Sequence, residues 1–209
     1  MSSVCQTHCY ATAFERYRPT ARAMYQRNLR LARRRDFVSC VRAFLLLHRV
    51  RVVRVHVGGD FFSAGYARKW LRIMRQSHRT RFYFYTRSWR IAGIKRVIDR
   101  MAELWNCRVW YSVDRDTGVP AEVPARVRVA WLMGDPTDLP PSNVDLVFRV
   151  RRLRRVPAST TAPTVCPTED GYSRTVRVTC ERCGFCWHPL PIARTPLTVI
   201  EPLSPGRCP

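Results

Sequence analysis

Hydrophobic and polar positions along this chain follow two rhythms. Residues 20–35 form a basic stretch with helical character, and Asp36 behind it is placed to cap a second helix in which Phe37, Val41, Phe44 and Leu45 recur at helical spacing. Residues 51–57 (RVVRVHV) alternate and are β-branched, which predicts a strand closed by Gly58-Gly59. Ser63 is placed to cap a helix carrying Tyr66, Trp70, Ile73 and Met74 on one face and Arg68, Lys69, Arg72 and Arg75 on the other. A strand follows at 81–86 (RFYFYT), then an amphipathic helix on Ile94, Val97, Ile98, Met101 and Leu104. Further strands are expected at 108–113, 126–132 and 143–149, with a short sixth near 163–166.

Strands that alternate with helices of this length predict parallel βαβ units. The links shorten toward the carboxyl end. Five to six strands, short of eight, point to an open or partial parallel β/α barrel of the α/β class, with a small doubly wound sheet as the alternative. Residues 1–188 read as one β/α domain holding a cysteine-rich stretch at each end. Residues 189–209 are proline-rich without helical period and read as a loosely ordered tail.

Composition narrows the setting. No run of about 18 apolar residues without charge is present, so no membrane-spanning helix is expected. The amino terminus lacks the basic-then-apolar order of a secretory signal, so a cytoplasmic location is expected. In a reducing compartment, grouped cysteines read as metal ligands rather than disulfides. Charge adds a second expectation: 37 Lys+Arg against 15 Asp+Glu give a net charge of +22, and only Lys69 and Lys95 are lysine. Such a surface suits nucleic acid; the plain alternative is a solvated arginine-rich exterior.

Candidate chemistry lies where parallel β/α folds put it, at the carboxyl ends of strands. Gly58-Gly59-Asp60 closes the first strand, Thr86-Arg87-Ser88 the second, Ser112-x-Asp114-Arg115-Asp116 the third and Gly134-Asp135 the fourth. The glycine pair lets backbone approach a ligand, and Asp60 could accept from its amine or hydroxyl. Arg87 could grip a carboxylate or phosphate through its planar fork. Asp116 and Asp135 read first as turn formers. Tyr85 and Trp89 read first as core.

Six of nine cysteines form two groups: Cys5-x3-Cys9, and Cys166 with Cys180-x2-Cys183-x2-Cys186. Three thiolates on one tight loop suit a 4Fe-4S cluster, which the soft ligand set favours, with zinc as the alternative. His8 and His188 beside the groups keep a mixed Cys/His zinc site open. Cys40 and Cys107 read as core residues.

Taken together, Cys5-x3-Cys9-Tyr10-Ala11, the 54–76 segment, FYFYTRSW at 82–89, WYSVDRDTG at 110–118 and the closing Cys-Pro…Cys-x2-Cys-Gly-x-Cys-Trp resemble the phage gene-product-88 domain family. That family is in turn similar to radical S-adenosylmethionine enzymes. The resemblance implies a cluster held by Cys5 and Cys9 at the mouth of a partial barrel, and the same or a second cluster held by Cys166, Cys180, Cys183 and Cys186. It also implies the methionyl amine of S-adenosylmethionine at Gly58, Gly59 and Asp60, the ribose at Ser112 and Asp114, substrate at Arg87, and an external electron donor. One departure stands out: the usual loop is Cys-x3-Cys-x2-Cys, and its third place holds Thr12. This predicts that the chain starts late relative to its relatives, or that its first cluster takes a ligand from the Cys180–Cys186 segment. The rival expectation is a metal-stapled basic protein that binds nucleic acid without catalysis. The substrate and the oligomeric state are not fixed by any of these residues.

Overall fold

The computed structural model describes residues 2–150, 153, 165–166 and 179–188. Four helices come first: α1 (Ser3–His8), α2 (Tyr10–Tyr17), α3 (Pro19–Arg33) and α4 (Phe37–Leu47). Then follow β1 (Val52–Arg54), α5 (Ala64–Gln76), β2 (Arg81–Thr86), a 3-10 turn at Ser88–Arg90, α6 (Ala92–Ala102), β3 (Cys107–Val113), β4 (Val127–Met133), β5 (Leu146–Arg149) and the short α7 (Cys180–Cys183).

The five strands pair in parallel in the order β1-β2-β3-β4-β5. A sequential order with right-handed crossovers puts every connecting helix on one face and curls the sheet into a half-barrel. A doubly wound sheet would reverse direction across its first strand, and this one does not. Of the sixth strand expected near 163–166, only residues 165–166 are described, and there Val165 makes a parallel bridge to Val147.

Register explains the division of labour between the two faces. Phe82, Phe84, Val109, Val127 and Tyr111 point toward α5 and α6, where they bury with Ile73, Met74, Ile98 and Met101. The inner face carries Arg54, Tyr83 and Arg108 in one row, then Tyr85, Trp110 and Arg128, then Ser112, Ala130 and Leu146. Charged and aromatic residues thus line the face opposite α5 and α6.

Four expectations change. The Cys5–Cys9 region is helical rather than a loop, because Ser2 caps α1 by accepting from the Cys5 amide at 3.1 Å. β1 is shorter than 51–57, because His56 turns into the left-handed region at φ 64°. Asp36 stands at the start of α4 but does not cap it; its carboxylate pairs with Arg34. Cys40 is exposed rather than core, at an apolar groove of about 290 Å³ between α3 and α4 lined by Leu31, Phe37, Val41 and Phe44. Ser63 does cap α5, accepting from Tyr66 N at 3.1 Å, and Cys107 is buried. Among the described residues no helix is long and apolar enough to cross a membrane. The 189–209 tail, Cys208 and most of the Arg149–Arg155 run lie outside the described residues.

Candidate functional site

The rim formed by the carboxyl ends of β1, β2 and β3 is built from carboxylates that hold backbone in place. Asp60 accepts four hydrogen bonds. Its Oδ1 receives the Phe61 amide and the Thr86 hydroxyl, both at 2.7 Å, and Oδ2 receives the amides of Arg87 (2.6 Å) and Ser88 (3.1 Å). It therefore ties the turn after β1 to the turn after β2. Asp114 is fully buried and is met by the Arg87 guanidinium at 2.6 Å and the Ser2 hydroxyl at 2.5 Å; its Oδ1 receives the amides of Asp116 and Thr117. Burial alone would raise the Asp114 pKa, but the Ser2 hydroxyl, the Arg87 charge and the Thr117 amide outweigh it and hold the carboxyl below its usual value. Asp116 receives the Ser3 hydroxyl at 2.5 Å and the Val4 amide at 3.1 Å.

Two aspartates from the β3 turn thus sit at the amino-terminal end of α1, where carboxylates complement unpaired amides and the helix dipole. They fix the Cys5 helix to the rim. Asp135 pairs with Arg115 and Thr137, as befits a turn former. Gly58 meets the helices rather than open space. A Cβ on it would stand 2.7 Å from Tyr25 Oη and 3.3 Å from the Ala11 Cβ, so α2 and α3 close over Gly58. Gly59 takes the left-handed φ of 83° that glycine tolerates. Ser112 accepts the Trp89 indole N–H on its carbonyl at 3.2 Å.

The two amino-terminal thiols differ. Burial raises the Cys5 pKa, partly offset by Arg87 and reinforced by Cys9 and Asp114. The Cys9 pKa is lowered, because its place at the start of α2 gives its sulfur the Thr12 side chain and the amides of Thr12 and Ala11, which together outweigh burial. Thr12 thus favours the ionised form of Cys9. Beside this helix, Ser3, Thr7, His8, Arg115, Gly134 and Asp135 line a polar cleft of about 170 Å³.

The carboxyl-terminal thiols gather on the inner face of the sheet. Cys166 is buried; its amide bonds the Val147 carbonyl at 3.0 Å. Cys166, Cys183 and Cys186 pack in one cluster with Tyr85, Trp110, Leu146, Phe148 and Phe185. The Tyr85 hydroxyl lies 2.8 Å from Cys186 Sγ, and Trp110 Nε1 donates to the Cys186 carbonyl at 3.1 Å. Gly184, at φ 65°, turns the chain so that Trp187 stacks near Tyr83 and the His188 carbonyl receives Arg108. Burial pushes Cys186 up to about 11; the Tyr85 hydroxyl and Arg54 work against this while Cys183 and Cys180 add to it. Burial likewise holds the Tyr85 phenol well above its ordinary value.

The six candidate thiols therefore fall in two regions: Cys5 and Cys9 at the rim near Arg87 and Asp114, and Cys166, Cys183 and Cys186 on the inner face around Tyr85, with Cys180 exposed beside them at the start of α7. Among the described residues no three His, Cys, Asp or Glu side chains form a group that could hold a metal ion as they stand.

Several residues escape a sequence reading. Ser2 carries a visible signal, a helix-capping residue just ahead of Val4 and Cys5, but its bond to Asp114 spans 112 positions. Arg54 is marked by alternation: it is the charged member of a β-branched strand and so must face away from Val53 and Val55. Its guanidinium lies 5.4 Å over the Tyr85 ring, and its buried Nε has no hydrogen-bond partner among the described residues. His56 carries no such mark. It is pinned by Tyr66 at 3.0 Å, its buried Nδ1 has no partner among the described residues, and burial lowers its pKa against the pull of Asp60. Asp138 is buried against the Gly134 amide at 2.9 Å, and burial raises its pKa.

No solved structure matches this chain. Among curated proteins it is similar to the gene 88 protein of Mycobacterium phage D29, at 25% identity over 200 residues that cover 88% of this chain and 75% of that protein. The family model described as Gene product 88 matches residues 1–189, the stretch that contains both thiol groups and the whole sheet. The chain belongs to the Gene product 88 family.

Proposed function

We propose that this chain is a thiolate-metal protein, with its metal centre on the inner face of the half-barrel and an iron–sulfur cluster as the occupant. The observation that carries this reading is the convergence of Cys166 with Cys183 and Cys186 into one cluster from segments well apart in sequence, with Cys180 at the other end of α7 from Cys183. The donor set fits in chemistry: four thiols, three of them packed among aromatic rings that exclude water, with Glu181 of α7 exposed. Ligation requires these side chains to turn toward one point and Cys186 to give up a proton that its burial favours.

When bound, a cluster of this kind supplies one-electron transfer. The chain's own groups would then act around it. Tyr85 would donate to the Cys186 sulfur, and Arg54 would offset negative charge. Trp110 would hold the Cys186 carbonyl and so fix the turn. Cys5 and Cys9 at the rim would serve a second centre or complete the first.

The finer reading is a radical S-adenosylmethionine-like enzyme with an external electron donor. It draws support from position, since Gly58, Gly59, Asp60, Arg87 and Asp114 share the rim with the Cys5–Cys9 helices. It also makes a demand: Asp60 must exchange hydrogen bonds to Thr86, Arg87 or Ser88 for those of a ligand amine. The test is elemental analysis of protein purified without oxygen. Iron with matching sulfide, lost in a C183S/C186S variant, is the expected result. Zinc in place of iron moves the reading to a structural zinc site, and absence of both metals overturns it.

A further inference from the structure

The outer surface offers a second, independent feature. From residue 16 to 35, and again from 61 to 98, the sequence contains no aspartate or glutamate. Between them these stretches build α3 and α5. On α3, Arg22, Arg30 and Arg33 are exposed and, at about 100° per residue, share an arc of about 80°. On α5, Arg68, Arg72 and Arg75 are exposed within an arc of about 60°. The two helices are joined: Lys69 of α5 donates to the Ala32 and Arg34 carbonyls at 2.8 and 2.7 Å, capping the carboxyl end of α3. None of the six arginines takes part in an ion pair among the described residues.

We infer that α3 and α5 form a docking track for the phosphodiester backbone of nucleic acid, read without regard to base sequence. Arginine suits phosphate because its planar fork donates two parallel hydrogen bonds. A lipid surface is the weaker partner. The apolar side of α5 is already buried through Ala67, Leu71 and Met74, so that helix has nothing to insert and binds through charge alone. An acidic protein partner would ordinarily bury an apolar centre along with the charge, and the apolar groove between α3 and α4 is walled by Leu31, which lies outside the arginine arc of α3. A sugar–phosphate chain needs no such centre.

Binding of labelled duplex DNA, single-stranded DNA and duplex RNA, measured by fluorescence anisotropy on the full chain, tests this and separates the sources of phosphate. With the six arginines each meeting one phosphate, log affinity for duplex DNA should fall against log salt with a slope of about −5, roughly a thousandfold between about 50 and 200 mM. R22Q/R30Q/R33Q and R68Q/R72Q/R75Q should each flatten that slope by about 3 without altering the melting temperature. The variant R96Q/R100Q/R126Q, which removes the same charge from α6 and the start of β4, should leave it unchanged. Absence of binding at low salt to all three nucleic acids overturns the inference. So does an equal loss in the control variant, or capture by phosphatidylserine vesicles in place of any nucleic acid.

Discussion

At the scale of single residues, the rim is governed by how buried carboxylates are satisfied. Asp114 has no exposure and, among the described residues, one cationic partner, so Arg87→Ala leaves a buried charge unpaired. A loss of about 3–5 kcal/mol in urea unfolding is expected. The same pair sets an acid limit. The Asp114 pKa is lower folded than unfolded, so its stabilising effect is complete above its unfolded value of about 3.9 and is lost as pH falls through the folded value. Hydrogen exchange of residues 2–8 should accordingly accelerate in acid below about pH 4, and in Asp114→Asn should be fast at every pH. Thiol reactivity forms a separate test, since Cys9 is shifted toward thiolate and Cys5 away from it. Iodoacetamide near neutral pH should label Cys9 first, and Thr12→Val should slow that labelling. An unchanged rate in the variant would mean that Thr12 has no hold on the sulfur.

At the scale of elements, the sheet and its packed helices could be read from sequence because period and burial agree there. RFYFYT places Phe82 and Phe84 on one face and Tyr83 and Tyr85 on the other, and the fold uses both faces as that pattern demands. Ser63 capped its helix as expected because no stronger partner competes for its hydroxyl. Asp36 did not, because Arg34 stands two residues away with an exposed guanidinium. The helices around Cys5 and Cys9 were not legible, since α1 has six residues and is held by Asp114 and Asp116 from far along the chain. The strand-end acids were found by position, yet their hydrogen bonds to backbone are invisible to any local pattern. Gly58 shows the same limit: its need for a bare Cα comes from Tyr25 and Ala11. Gly58→Ala should force α2 and α3 off the rim, costing about 1–3 kcal/mol and raising protease sensitivity between residues 10 and 33. A variant with wild-type stability and protection would show that Tyr25 yields freely.

At the scale of the whole molecule, two surfaces carry two chemistries. The inner face gathers thiols and aromatic rings; the outer helices gather unpaired arginine. Because they are separate, C183S/C186S should lose metal while keeping the salt-dependent nucleic-acid binding of the parent, and R68Q/R72Q/R75Q should do the reverse. Simultaneous loss of both in either variant would mean that the two surfaces depend on one another. The seating of residues 183–188 across Tyr83, Tyr85 and Trp110 also has a bearing on biogenesis. A ribosome delivers every strand of the half-barrel before it delivers the segment that roofs the aromatic floor. Until that late segment arrives, the nascent protein presents a sticky concave wall, so a message cut short before Cys180 should yield an aggregating product rather than a smaller working one.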